Sequence, residues 1–482
     1  MNIRLIFKVL GYVLLVEAGC LLLPLLISLY LGESSWHSFA LVALLCALSG
    51  LCLSRLRVGA AVMQGRDGYA AVALAWIGLS LMGALPYVIS GAIPRYIDAL
   101  FETVSGFTTT GATILEDIER LPGGILFWRS ETQWMGGMGV LVMFLALMPK
   151  LGSGAVHLMR AESPGPIKSK LVPKLGHSAK ILYGIYIALT AAELLALRIA
   201  GMSWYDAVNH AFTTMATGGF SVKNDSIAAY AHLPAVAWII TVFTALAGVN
   251  FSLMFLLLRG RVRQVLRSSE LWLYMAILAV ATALVGVNLW LEHGATPGGA
   301  LSDAVFQVVT VMTTTGYATR NFALWPTFSR LILAALMLIG GCAGSTAGGV
   351  KVSRVVIWMK SLRRDLVRII HPKHVSVITV DDQAVDENVI SSCHGFLVAY
   401  VLVMIVGALV VGWDNTGFES SFSASLTCIS NVGPALGSLG EAGNFSTLSV
   451  LSKGVLSLEM LMGRLELMPI LVLLAPSTWR NK

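Results

Sequence analysis

Thr313-Thr314-Thr315-Gly316-Tyr317, TTTGY, stands in a chain that is otherwise mostly apolar. The pattern recurs. TTTGA fills Thr108–Ala112, MATGG fills Met215–Gly219 and SNVGP fills Ser430–Pro434. Each ends a half-polar stretch that opens on an acid: DALFETVSGFTTTGAT from Asp98, DAVNHAFTTMATGGF from Asp206, DAVFQVVTVMTTTGY from Asp303 and ESSFSASLTCISNVGPA from Glu419. The central glycines, read as Gly111, Gly218, Gly316 and Gly433, come 12 to 14 residues after those acids. This is an internal repeat with a period of about a hundred residues.

Composition fixes the solvent. The 482 residues are 56% hydrophobic and only 12% charged, with a mean hydropathy of +0.78. A soluble domain carries about twice that charge. Apolar runs of about 20 residues, the length a helix needs to cross a bilayer, recur from end to end. Two come first, near 9–31 and 36–54. The first of these, Val9 to Leu31, is too long for a signal peptide and reads as a retained helix. Pairs follow near 69–91 and 125–148, 179–200 and 234–258, 271–291 and 327–358, and 389–412 and 447–474. The expected fold is an all-α polytopic membrane protein with ten spans. Its parts are an N-terminal pair (1–67), repeats at 68–160, 161–268 and 269–370, a hairpin (371–388) and a fourth repeat (389–482).

Charge placement gives orientation. The net charge is +7, but 24 of the 33 Lys and Arg sit in clusters at alternate interruptions of the apolar pattern. The clusters are Arg4/Lys8, Arg55/Arg57/Arg66, Lys150–Lys180, Arg259/Arg261/Arg263/Arg267, Lys351–Lys373 and Arg480/Lys482. That is the positive-inside pattern, with both termini cytoplasmic, and not a nucleic-acid footprint. The six cysteines lie in or beside apolar segments without a CxxC pair, so they read as small buried side chains.

The stretches between paired spans are too short to cross and too apolar for a solvent loop. A re-entrant half-helix plus loop fits, and such backbone is tolerated only where protein buries it or water lines it. The acids suit the first turn of each half-helix. Carbonyls turned toward one axis replace the water shell of a dehydrated cation without fixed charge, as TVGYG does in potassium channels. Glycine reaches the unusual dihedrals this needs. Thr109, Thr110, Thr217, Thr314 and Thr315 stand ready to tie the loops or add a ligand. A single such Thr-Gly pair reads as a turn; four in equivalent places read as walls of one pore.

Other features are less specific. Gly340-Gly341-Cys342-Ala343-Gly344-Ser345-Thr346-Ala347-Gly348-Gly349 holds five glycines in ten residues, each costing a helix interior roughly 1 kcal/mol against alanine. A loop across the pore and close packing through small residues are both open readings. Arg464, near the middle of the last span, is either a cationic barrier or a partner of Glu459 or Glu466. Glu17, Glu193 and Asn250 read as helix ties or interfacial residues, and Gly136-Gly137-Met138-Gly139 as close packing. His374–Ile390 alternates about a turn at Asp381-Asp382-Gln383, a short β-hairpin beside the basic run Lys360–Arg368, which suits lipid-surface contact. His210 lies in a half-helix, but no HExxH, GxSxG or facing Asp pair accompanies it. There is no Walker motif and no metal signature, so the chain is not expected to be an enzyme or to carry a cofactor.

With these motifs the whole chain resembles the TrkH/TrkG/KtrB superfamily of potassium transporters, and the extra N-terminal helix pair resembles its TrkH-like branch. QWMGGMGVLV (Gln133–Val142), AESPGPIKSKLVPKLGHSAK (Ala161–Lys180), GGCAGSTAGGVKVSR (Gly340–Arg354) and GRLELMP (Gly463–Pro469) carry the likeness further. The resemblance implies four pseudo-symmetric helix–pore-loop–helix repeats around one pore. It implies a K+ filter at Thr109, Thr110, Gly111, Ala112, Thr217, Gly218, Gly219, Thr314, Thr315, Gly316, Tyr317, Asn431, Val432 and Gly433. Potassium would be held through Thr110, Gly111, Thr217, Gly218, Thr315, Gly316, Asn431 and Val432. It implies a gate at Gly340, Gly341, Gly344, Ser345, Thr346, Gly348, Gly349 and Lys351, with Arg464 as a barrier below the filter. It also implies a homodimer and a TrkA-like cytosolic partner that carries the NAD or ATP/ADP site.

Overall fold

The structure is a computed structural model that describes residues 2–57, 65–139, 175–292, 296–372, 374, 376–381, 383–441 and 444–479. Of the expected basic clusters, Lys150 to Lys174, Lys373, Arg480 and Lys482 lie outside the described residues, as do Asp382 of the expected turn and most of Ala161–Lys180. Among the described residues the regular structure is helical apart from a two-stranded antiparallel ladder, which pairs Thr379 with Ala384 and Val380 with Gln383, and an isolated parallel bridge between Thr113 and Asn444.

Six described helices are long and apolar enough to cross a membrane: Ile3–Tyr30, Trp36–Ser54, Gly65–Ile89, Ala179–Ile199, Ser269–Glu292 and Glu387–Gly412. The last four each lead one of the four repeated segments. Their outer faces are exposed hydrocarbon. On Glu387–Gly412, Val398, Leu402, Ile405 and Leu409 project outward at helical spacing, a stripe suited to lipid tails. The chain is a multi-pass membrane protein.

Each leading helix is followed by a short buried one: Tyr96–Phe107, Trp204–Met215, Pro297–Met312 and Phe418–Ser430. Asp98, Asp206 and Glu419 lie in first turns, as read from sequence. Asp303 does not. Thr296 caps the third short helix through its side chain and Pro297 presets the first φ, so the helix starts six residues before Asp303. Asp303 lies in the second turn and faces Arg320 at 3.5 Å instead.

The closing helices are shorter than the apolar pattern predicts. They run Gly123–Gly137, Pro234–Ala247, Thr327–Ile339 and Val450–Arg464, 13 to 15 residues each. The readings 234–258 and 447–474 as single spans are corrected, 327–358 breaks at the glycine-rich stretch where the sequence left a loop open, and residues 140–148 of the reading 125–148 lie outside the described residues. The second stops at Gly248 and resumes at Phe251 bent by 96°, with Asn250 capping the new helix through Ser252 N–H. The third breaks from Gly340 to Lys351 and resumes as Val352–Ile370. The fourth breaks at Leu465, with Glu466 and Leu467 at positive φ, then resumes at Met468–Leu474 over Pro469.

Candidate functional site

The four short helices end alike. Thr109, Thr217, Thr314 and Asn431 all adopt the left-handed conformation, with φ of 55°, 52°, 59° and 56°. Their N–H groups donate three residues back, to Gly106, Thr214, Val311 and Cys428 carbonyls. The next N–H donates five back: Thr110 to Ser105 at 2.9 Å, Gly218 to Thr213 at 2.8 Å, Thr315 to Thr310 at 2.8 Å and Val432 to Thr427 at 2.9 Å. This is the Schellman cap, made four times with a residue other than glycine at its left-handed position. It turns the chain sharply out of each helix end, where the dipole is negative.

Position by position, the caps put Gly111, Gly219, Gly316 and Gly433 in register. All four have positive φ, 83°, 76°, 77° and 102°, whereas Gly218 does not. The central glycine of the second loop is therefore Gly219, one residue beyond the Gly218 read from sequence. Gly218 matches Thr110, Thr315 and Val432.

The four glycines meet one another's loops in a closed cycle. A Cβ on Gly111 would lie 2.3 Å from the Gly218 carbonyl oxygen, and on Gly219 1.8 Å from that of Thr315. On Gly316 it would lie 2.1 Å from the Val432 oxygen, and on Gly433 2.5 Å from that of Thr110. Each loop thus packs its glycine on the carbonyl of the next, and the fourth returns to the first. No side chain fits at any of the four places. Thr109, Thr110, Thr217, Thr314, Thr315, Tyr317, Asn431 and Val432 are fully buried, and Ala112 nearly so.

Side chains brace the cycle. The Thr108 and Thr110 hydroxyls are 2.7 Å apart, and those of Thr313 and Thr315 2.9 Å. Asn431 Nδ2 donates to Thr110 Oγ1 and to the Met460 carbonyl, both at 2.9 Å. The Tyr317 hydroxyl bonds Thr213 on the second short helix. On one side the glycines open into a cavity of about 330 Å³ lined by Gly111, Gly219, Gly316 and Pro434.

On the other side lies the loop 340–351, its ends zipped together. Val350 N–H donates to Leu338 O, Lys351 N–H to Ile339 O and Val352 N–H to Gly341 O, at 2.9 to 3.1 Å. Gly340 and Gly349, both at positive φ, pack Cα against Cα at its base. The loop is stitched to its surroundings. Gly348 N–H donates to Thr314 Oγ1 at 2.7 Å and Gly349 N–H to the Ser430 carbonyl at 2.9 Å. Thr346 Oγ1 donates to Ala247 O at 3.2 Å, and the Gly344 carbonyl accepts from Phe251 N–H. Ser345 bonds the Cys342 carbonyl, and Lys351 Nζ bonds that of Ala347. Arg464 ends the fourth closing helix, not its middle. Its guanidinium donates to Thr346 O at 2.7 Å and to the Gly136 and Gly137 carbonyls at 2.5 and 2.6 Å. It thereby ties the loop to the buried C-terminal end of the first closing helix. Glu466 instead pairs with Arg354, and Glu459 accepts from Ser425.

The family model for TrkH, described as cation transport protein, matches residues 37–481. The Trk system potassium uptake protein TrkH of Halomonas elongata is 37% identical over the full length of both chains. The protein of the same description from Escherichia coli K12 is also 37% identical over both full lengths, and Escherichia coli TrkG is 30% identical over 100% of this chain and 99% of its own. The crystal structure of the potassium transporter TrkH from Vibrio parahaemolyticus superposes with a TM-score of 0.88, at 34% identity, covering both chains fully.

The chain belongs to the TrkH family of cation transport proteins. Membership makes it a transporter and not an enzyme. His210 fits that conclusion: its Nδ1 faces the Asp206 carbonyl at 2.8 Å and its Nε2 the Ser221 hydroxyl at 3.1 Å, so it braces the second loop. Gly136 and Gly137 pack against the Phe107 carbonyl and Ala216, a close approach that excludes a Cβ. Glu17 and Glu193 are fully buried.

Three functional elements of this TrkH-family chain are not evident in the sequence. Arg129 and Glu102 form a buried ion pair at 2.6 Å, and Arg129 also donates to Ser221 O and stacks on Phe220 beside the second glycine. Lys453 of the fourth segment donates to Asp98 of the first at 2.6 Å. Gln133 donates to the Gly218 carbonyl and accepts from Phe220 N–H. Each joins residues tens or hundreds of positions apart. The one readable signal was intramembrane charge, which is costly without a partner.

Proposed function

We propose that this protein carries potassium into a bacterial cell across the inner membrane, through a gated, channel-like pore. The cycle of Gly111, Gly219, Gly316 and Gly433 is the observation that carries the reading. It holds four loops at the negative ends of four short helices, without a fixed charge on the loops themselves. Carbonyls so placed replace a cation's water while leaving it free to move on. The relatives that are potassium uptake proteins supply the ion. In this reading, Thr109–Ala112, Thr217–Gly219, Thr314–Tyr317 and Asn431–Gly433 form the filter, and rubidium substitutes for potassium. The loop 340–351, latched by Arg464, is the gate. Release of the gate falls to a TrkA-like cytosolic ring that binds nucleotide, on a homodimer with cytoplasmic termini.

The rival is a symporter coupling potassium to H+ or Na+. Proton coupling at the filter needs a titratable side chain there, and the loop residues are Thr, Gly, Ala, Tyr, Asn and Val. Currents from purified protein in planar bilayers separate the two. A reversal potential that follows the potassium gradient alone supports the pore. One that also moves with an imposed H+ or Na+ gradient supports the symporter.

A further inference from the structure

Gly218 differs from its counterparts Thr110, Thr315 and Val432 in having no side chain. In the first and third loops the equivalent threonine is tied to the hydroxyl two residues earlier. The second loop has no such tie and carries two adjacent glycines, the most pliant of the four walls. The space a Gly218 side chain would fill is occupied. A Cβ there would lie 2.4 Å from Cδ and Oε1 of Gln133 and 2.8 Å from its Nε2. Gln133 comes from the first closing helix and is fully buried. Its Nε2 donates to Gly218 O at 2.7 Å, and its Oε1 accepts from Phe220 N–H at 3.1 Å. The two bonds flank Gly219. The Gly218 oxygen is also the one on which Gly111 packs, so the amide fixes the contact between first and second loops.

We propose that Gln133 is a positioning residue for ion discrimination: it supplies from the neighbouring segment the side chain that the second loop lacks, and so sets the width of the ring at Gly218–Gly219. This rests on reading the ring as the potassium filter.

The test is uptake of radioactive rubidium by the purified full-length protein in liposomes, with sodium as competitor. A wild-type protein without rubidium preference would defeat the filter reading itself, and this inference with it. Given that preference, Gln133→Leu keeps the volume and deletes both bonds. It should lower rubidium preference by about fivefold or more, the effect of one or two buried hydrogen bonds. Gln133→Met keeps the unbranched shape and likewise removes both bonds, and should shift preference the same way. Should the leucine variant fail to fold, the methionine variant still decides. The triple variant Gln133→Ala, Ala216→Ser, Gly218→Thr returns to the second loop the hydroxyl pair that ties the first and third, and should recover preference relative to Gln133→Ala alone. A filter role predicts that rescue; a purely structural role does not. Wild-type preference in the well-folded Gln133→Leu or Gln133→Met variant, or no recovery in the triple variant, overturns the inference.

Discussion

A residue other than glycine in the left-handed region costs about 1–2 kcal/mol. Thr109, Thr217, Thr314 and Asn431 all bear that cost, and the repeated Schellman bonds hold them to it. The glycine two residues on has no such latitude, because a neighbouring carbonyl already fills the place of its Cβ. At Gly219 the clash is with backbone, 1.8 Å from Thr315 O; at Gly218 it is with the tip of the Gln133 side chain, which yields more readily than backbone. Gly219→Ala should therefore reduce rubidium uptake at least tenfold, roughly 1.4 kcal/mol or more in barrier, and Gly218→Ala should cost distinctly less. Initial uptake rates in liposomes check the order. The doubled glycine made the register ambiguous in sequence. The spacing from the acid held the answer: Gly219 stands 13 residues after Asp206, as Gly111 does after Asp98 and Gly316 after Asp303.

Among elements, the loop 340–351 is the proposed gate below the ring. Its glycines announced a break in the helix, but not where it lies. That depends on Thr314, Ser430 and Ala247, distant in sequence. The breaks after Ala247 and Arg464 were less legible, since a bend needs only a small residue and a local cap, Gly248 with Asn250 or Leu465 before Pro469. Hydrogen bonds to charged donors are worth about 1.5–3 kcal/mol each, so Arg464 contributes substantially to holding the loop in place. Arg464→Gln should raise rubidium uptake in the absence of any cytosolic partner, by about tenfold. Gly348→Ala acts at the same joint. A Cβ there meets the Ser430 carbonyl at 2.3 Å, so the loop must shift off the ring, and unstimulated uptake should rise. Uptake at or below wild type in both well-folded variants would contradict the gate.

At the scale of the molecule, four segments must close a circle within one chain, and buried charge pairs pin the joints. Glu102–Arg129 clamps the first segment to the second loop. Asp98–Lys453 ties the first to the fourth. Removing one partner of a buried pair costs about 3–5 kcal/mol, because the other charge is left unpaired. Arg129→Met should lower the thermal midpoint of the purified protein by several degrees, and adding Glu102→Gln should restore part of it. The sequence showed the membrane class and the recurring glycine motifs. It did not show which charge meets which, because pairing is set by how the segments pack. The central claim, that the four glycines form one potassium filter, is met most directly at Gly316, packed on the Val432 carbonyl. Rubidium uptake against sodium competition, measured for Gly316→Ser in liposomes, should show lost or inverted preference with the protein still folded. Unchanged preference and flux would contradict the account.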